Sequence, residues 1–317
     1  MIKLIIVSPC YNEETVLEQA AACITAYLDK LAQKGKISED SKVLYVNDGS
    51  TDNTWNIIRQ LHEKNPRILG VNLAHNVGHQ NAIMAGMMEA RKDCDAVVTM
   101  DCDLQDDVNA IEEMLDKHRE GADIVYGVKV CRKGDSWKKR TTAQMFYKML
   151  EIMGVNTVYN HADFRLMSQR ALNALAEFPE RNLYLRGLVP LIGFQTSMVE
   201  DVILPRIAGE SKYTLRKMLK LASDGITSFS TRPMEFIITV GGLMLFVAFC
   251  MLCYVLGSLM LGHYTSGWAS IMISMWFIGA VVTLAIGVVG MYIGKIYTET
   301  KRRPLYIIQD KLTDNKN

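Results

Sequence analysis

From Phe236 to Gly294 the chain has no Asp, Glu, Lys or Arg. A helix in water needs a polar face, so a run this long must be covered on all sides by protein or lipid. Phe236 to Leu261 and Ile271 to Ile293 are each long enough to cross the hydrocarbon core of a bilayer. The break between them, Gly262 to Trp268, is short and polar with interfacial aromatics. Residues 234–294 therefore read as two transmembrane helices joined by a small outside loop. Lys212, Arg216, Lys217, Lys220 and Arg232 precede the pair, and Lys295, Lys301, Arg302 and Arg303 follow it. Basic flanks on both sides predict that both ends are cytoplasmic and that the protein is multi-pass. Within 212–233, Leu215, Met218, Leu219, Ala222, Ile226 and Phe229 recur at helical spacing, with Arg216, Lys217 and Lys220 elsewhere. That is an amphipathic helix suited to the headgroup layer. Residues 295–317 read as a basic cytoplasmic tail. Gly279-x-x-x-Thr283 and Gly290-x-x-x-Gly294 suit close helix packing within or between subunits, which leaves a homo-oligomer open.

Residues 1–211 follow a different pattern. Apolar strands at Lys3–Val7, Val43–Val46, Ile68–Leu73 and Ala96–Met100 alternate with helical periodicities, and Ile124–Gly127 comes next. Strand, polar turn and helix repeat four times, which predicts an α/β domain with a parallel sheet. No G-x-G-x-x-G follows the first strand, so a dinucleotide fold of the usual kind is excluded. A net charge of +1 gives no field for nucleic acid. The seven Cys are scattered without metal spacing in the polar part, and Cys250-x-x-Cys253 lies in the apolar run, where packing is the simpler role. Free thiols fit a reducing compartment. Met1 to Pro9 is too short for a signal peptide.

The polar turns all follow strand carboxyl ends, where open α/β sheets bind ligands. Asn12, Glu13, Asp48, Asp52, Asn76, Asp101 and Asp103 should share that edge, with Asn12 also read as an N-cap. Asp101 and Asp103, two apart, leave an extended segment on the same side. Two carboxylates facing one way call for a cation, and hard oxygen ligands suit Mg²⁺ or Mn²⁺ shared with substrate phosphates. With so much carboxylate, the ligand should also offer donors, such as a base N–H or sugar hydroxyls.

Pro9-Cys10-Tyr11-Asn12-Glu13-Glu14, Val46-Asn47-Asp48-Gly49-Ser50-Thr51-Asp52 and Asp101-Cys102-Asp103-Leu104-Gln105-Asp106 resemble the family-2 glycosyltransferases of GT-A fold. Asp135 to Arg140, Ala162 to Leu166, Pro179 to Asn182, Leu185-Arg186-Gly187, Gly209 to Tyr213 and Asp224 to Ser230 extend the likeness over nearly the whole chain. They resemble the bacterial polyprenyl-phosphate glycosyltransferases, relatives of dolichol-phosphate mannose synthase that include the bactoprenol glucosyltransferases. The resemblance implies that Pro9, Tyr11 and Glu13 help hold the nucleotide and that Asp48 meets the base. It implies that Asp101, Asp103 and Gln105 hold the metal and pyrophosphate, that Asp163 sits near the transferring sugar as the obvious base, and that Lys212 closes over the pyrophosphate. A phosphate monoester is already largely dianionic near pH 7 and needs positioning more than deprotonation, so Asp163 is expected chiefly to orient the donor sugar or the neighbouring Arg165. Its acceptor is a lipid monophosphate, and the basic run Lys129 to Arg140 supplies Lys129, Arg132 and Arg140 for it. His75-Asn76-Val77-Gly78 stands where relatives often have Arg-Asn-Phe-Gly, so an arginine contact is missing or replaced.

The expected activity is inverting transfer of a hexose, glucose foremost, from a UDP-sugar to undecaprenyl phosphate at the cytoplasmic face of a bacterial inner membrane. Two alternatives stand beside it. A processive polysaccharide synthase should show Gln-x-x-Arg-Trp and more spans, and this chain shows neither. A non-catalytic scaffold should have lost a metal carboxylate, and both are present.

Overall fold

The computed structural model describes residues 1–130, 161–202, 232–260 and 267–313. They fall into two compact units. Residues 1–130, 161–202 and 303–313 form the first, and 232–260 with 267–302 form the second.

The first unit is built on one eight-stranded sheet. Strands β1 (Leu4–Cys10), β2 (Lys42–Asn47), β3 (Ile68–Leu73) and β4 (Ala96–Thr99) pair in parallel in the order β4-β1-β2-β3. Helices α1 (Leu17–Gln33), α2 (Thr54–Lys64) and α3 (His79–Ala90) connect them. All seven residues of β1 are buried, as a central strand covered on both faces requires. Leu17, Ala20, Ile24, Leu28 and Leu31 turn one stripe of α1 onto the sheet and are fully buried. Pro9 is tolerated inside this central strand because of where the β1–β4 ladder stops. Val7 still accepts from the Met100 N–H, and alternation turns the Pro9 nitrogen to that same side, two residues past the last paired position, Val7↔Thr99.

The sheet then departs from simple continuation. Helix α4 (Ala110–Arg119) leads to β5 (Ile124–Val130), but β5 does not pair with β4. Strand β6 (His161–Ser168) enters between them, antiparallel to both, with Arg165 opposite Thr99 on one side and Tyr126 on the other. Helices α5 (Gln169–Ala176) and α6 (Leu185–Leu191) follow, and β7 (Thr196–Val202) pairs in parallel with β5 at one sheet edge. The opposite edge is closed by β8 (Ile308–Leu312), antiparallel to β3. Neither β6 nor β8 is visible as a strand from hydrophobic pattern: β6 carries Asp163 and Arg165, and only the ends of β8 are apolar. Part of the presumed tail is thus sheet. Asn72 donates to Asp310, Lys311 pairs with Glu89, and Leu312 packs on the core.

The second unit consists of α7 (Arg232–Met260) and α8 (Trp268–Lys301). Within α8, Phe277–Lys301 has a mean hydropathy of 2.2 and is long and apolar enough to cross a membrane. It is the one such segment among the described residues, since the apolar stretch identified in α7, Met234–Met244, is shorter. The predicted amphipathic helix of 212–233, apart from the start of α7, and residues 261–266 of the predicted loop between α7 and α8 lie outside the described residues.

Two turns at the carboxyl edge meet so closely that one glycine is obligatory. Gly49 has φ +62°, and a Cβ there would lie 2.5 Å from the Asn76 nitrogen and 2.5 Å from the His75 carbonyl carbon. Neither is a flexible side-chain end. Left-handed strain together with a backbone collision should make Gly49→Ala destabilising by about 2–4 kcal/mol in urea unfolding. A loss below about 0.5 kcal/mol would mean that the two turns separate easily.

Candidate active site

The first two turns are laced together. Asn12, at φ +55°, accepts the Thr51 N–H at 2.9 Å, and its own N–H reaches Ser50 Oγ at 3.0 Å. Thr54 Oγ1 accepts from the Glu13 N–H, and Asp52 accepts from the backbone of Glu14 and Thr54. Asn12 therefore bridges two turns and does not cap α1, whose N-cap is Val16. Pro9 is buried and Tyr11 is 40% exposed at the same edge. Asp48 is 3% exposed, and its two oxygens accept the N–H groups of Val77 and Gly78 at 2.7 and 3.1 Å. The structure thus gives Asp48 the task of fixing the turn between β3 and α3. Burial pushes its pKa up in spite of those bonds.

Fixing that turn places His79, the first residue of α3. Its Nε2 lies 3.5 Å from Asp101 Oδ1 and 3.7 Å from Asp163 Oδ2. Burial works against its protonation, but Asp163 and Asp101 prevail and push its pKa up to about 9. Both ends of the His79–Asp101 contact keep more than two-fifths of their side chains accessible, so the pair meets solvent although protein is packed densely around it. In Asp101 that packing, followed by the nearby Asp163 and Asp103 charges, raises the carboxyl pKa, with His79 opposing.

Asp163 is held more tightly. Arg165 Nη2 donates to Oδ1 at 2.9 Å, and Arg186 reaches the two oxygens at 3.3 and 3.2 Å. Thr99 Oγ1 donates to its backbone carbonyl. Burial favours the neutral acid, but Arg186, His79 and Arg165 outweigh it and hold the carboxyl well below the usual range. Arg165 is itself 1% exposed, and its guanidinium also donates to the Leu185 carbonyl. The Leu185 N–H in turn donates to Gln80 Oε1 at 2.8 Å. Strand β6, the first turn of α3 and the start of α6 are thereby tied around one carboxylate.

The acidic turn itself is pinched. Leu104 has φ +53°, and Asp103 Oδ1 accepts the Gln105 N–H at 3.2 Å. Asp106 is 3% exposed, and its pKa is pushed up to about 7 by burial and then by Asp101, with Lys129 opposing. Lys129 Nζ lies 3.4 Å from Asp106 Oδ1, so the first of the three presumed phosphate cations is seated beside the acidic turn. Arg132, Arg140 and Lys212 lie outside the described residues. No group of three or more His, Cys, Asp and Glu converges as a complete metal shell among the described residues. Asp101 and Asp103 offer two carboxylates, which suits Mg²⁺ or Mn²⁺ sharing its remaining positions with phosphate oxygens and water.

The family model for glycosyl transferase family 2 matches residues 5–180, more than half the chain and nearly all of β1 to β4. The chain belongs to glycosyl transferase family 2. It is 45% identical over 305 residues to the uncharacterized glycosyltransferase YkoT of Bacillus subtilis (strain 168), covering 96% of this chain and 90% of that protein. It is 36% identical over 314 residues to the bactoprenol glucosyl transferase of Shigella phage SfV, covering 98% and 99%. A solved structure, the mannosyltransferase PcManGT from Pyrobaculum calidifontis in complex with GDP-Man and Mn²⁺, aligns at a TM-score of 0.48 with 16% identity, covering 95% of this chain and 87% of that one. This chain is a glycosyltransferase with the GT-A α/β fold and a mostly parallel sheet.

The pairing of Asp163 with Arg165 was readable from the sequence, whereas sequence reasoning missed His79 and Arg186 closing on the same carboxylate. The signal for His79 was available: it sits in the same class of strand-end turn as Asn76, three residues on.

The His79 pKa has a measurable consequence. A value raised from 6.5 to about 9 contributes stability that is complete below about pH 6.5 and is lost as pH rises through about 9. Without divalent ions, the thermal midpoint should fall between about pH 7 and pH 9, and His79→Gln should flatten that fall. The same slope in the variant would remove His79 from the account.

Proposed function

We propose that this enzyme transfers a hexose, glucose foremost, from a UDP-sugar to undecaprenyl phosphate with inversion, at the cytoplasmic face of a bacterial inner membrane. The bactoprenol glucosyl transferase name of a relative aligned over 98% of the chain supports the substrate class. The observation that carries the reading is the state of Asp163. A general base works best with a pKa near the operating pH. A carboxylate held far below that range by Arg186, His79 and Arg165 is a poor base. It suits an acceptor that needs none. A phosphate monoester has a second pKa of about 6 and arrives near pH 7 largely as the dianion. Asp163 then orients the donor sugar and keeps Arg165 and Arg186 in place, while a phosphate oxygen displaces the nucleoside diphosphate from the opposite face of the anomeric carbon.

Asp101, Asp103 and Gln105 would hold Mg²⁺ or Mn²⁺ with the pyrophosphate. When bound, the ion neutralises charge developing on the leaving diphosphate. Pro9, Tyr11 and Glu13 are assigned to holding the nucleotide and Asp48 to meeting the base, in addition to the turn it fixes. Lys129, Arg132 and Arg140 are assigned to the acceptor phosphate, and Lys212 to closure over the donor.

We assign α7 and α8 to a membrane hairpin. Phe236, Phe246 and Phe249 of α7 are exposed, as are Phe277, Ile286 and Ile293 of α8, an apolar surface that water does not favour. The chain leaves the sheet after β7 and returns to it at β8, so an even number of crossings is required if the apolar unit spans a bilayer.

The direct test is incubation of membranes with labelled UDP-sugars, Mg²⁺ or Mn²⁺ and polyprenyl phosphate. Acceptor-dependent label in the lipid phase is expected with one sugar, and no transfer with any would end the reading. Asp103→Asn should lower turnover by about two orders of magnitude, as loss of a major electrostatic contact does. Asp163→Asn should be slower yet keep the acidic limb near pH 6 set by acceptor ionisation, and reach within about tenfold of wild type at pH 8. Absence of any recovery at high pH would restore the general-base role.

A further inference from the structure

Behind the acidic turn lie two carboxylates outside the donor assignments. Asp201, from the edge strand β7, is fully buried and accepts the Asp107 N–H at 3.0 Å. Asp106 accepts the Asp101 N–H through Oδ2 at 3.4 Å. The turn that carries Asp101 and Asp103 is therefore anchored at both ends by inner carboxylates. The other oxygen of Asp106 faces Lys129 Nζ at 3.4 Å, and the β5–β7 register sets Lys129 opposite Asp201. One ammonium thus sits among two buried carboxylates, with 28% of its side chain still exposed.

This arrangement solves two problems at once. Buried carboxylates without a cation are strongly destabilising. Lysine loses rotamer freedom along its flexible stem when its ammonium is fixed, a cost that a bound phosphate would otherwise have to overcome. Holding the ammonium in advance removes part of that cost from binding.

We propose that Asp106 is a positioning residue that joins the two halves of the site. One of its oxygens sets the Asp101 end of the acidic turn. The other holds the Lys129 ammonium ready for the acceptor phosphate. The second task rests on the reading that the acceptor is a lipid phosphate bound through Lys129; the first stands without it.

Asp106→Asn separates the two tasks, because the amide oxygen still accepts the Asp101 N–H while the carboxylate oxygen that faces Lys129 at 3.4 Å is replaced and only Asp201 remains beside the ammonium. Three readouts are needed: Mn²⁺ binding in the presence of UDP followed by electron paramagnetic resonance, the KM for a short water-soluble prenyl phosphate, and turnover at saturation. Asp106→Asn should leave the Mn²⁺ dissociation constant within about twofold and raise the acceptor KM about tenfold, and Lys129→Met should raise that KM similarly. The double variant should be no worse than Lys129→Met alone, since the two act through one contact. An unchanged acceptor KM in Asp106→Asn, or an undiminished tenfold effect in the Lys129→Met background, overturns the link to the acceptor. Asp106→Ala removes both contacts and should also weaken Mn²⁺ by about tenfold. Unaltered Mn²⁺ binding in a folded Asp106→Ala protein overturns the link to the turn. If Asp106→Ala does not fold, Asp106→Leu, which fills the same space without an acceptor for the Asp101 N–H, takes its place in the Mn²⁺ comparison with the same expected and overturning results. Wild-type protein that shows no acceptor-dependent transfer counts against the lipid-phosphate reading, and the Mn²⁺ comparison still decides the first task.

Discussion

Asp163 is the carboxylate around which the site is assembled. Burying it would be costly alone, and Arg165, Arg186 and His79 make it favourable only if three separate elements arrive together. Arg165 is two residues along the same strand, and β6 carries both groups between β4 and β5. His79 depends on the turn before α3, and that turn depends on Asp48. Arg186 depends on α6, whose first N–H is held by Gln80. Loss of one partner therefore leaves the others with uncompensated charge, and the donor cleft with an altered wall.

The parallel half of the sheet was legible because its strands are continuous apolar runs between helices of clear period. Its turns were legible as polar clusters, and the sequence placed Asp101, Asp103 and Asp163 in one neighbourhood by resemblance. What the turns do to one another was not legible. Asn12 and Asp52 look like caps in sequence, and in the fold they bond across to a neighbouring turn. Asp48 looks like a ligand residue, and its oxygens meet two backbone N–H groups. A carboxylate that binds and one that braces have the same letter, and only the distance to the next turn separates them. Strand β6 escaped notice for a related reason. Its central arginine breaks the hydrophobic pattern, and the ion pair that makes it admissible inside the sheet is a property of the folded molecule.

The two units follow opposite rules of surface. The first unit buries its aliphatic strands and encloses its charges in pairs. The second leaves Phe, Ile and Met side chains on the outside of α8, with no charged residue before Lys295. An acceptor with a long hydrocarbon tail and a charged head would need both kinds of surface, and in this chain they are continuous in sequence.

The strand β8 is the last part of the sheet to be synthesised. Until it emerges, the outer edge of β3 keeps its hydrogen-bonding groups open, and such an edge invites pairing with other chains. All of α7 and α8 must leave the ribosome before that edge can close. A nascent chain whose apolar helices have not found their environment thus still lacks its closing strand. Completion of the sheet is timed by the arrival of the hydrophobic helices, and a chain cut short before β8 is left with an unfinished, association-prone border.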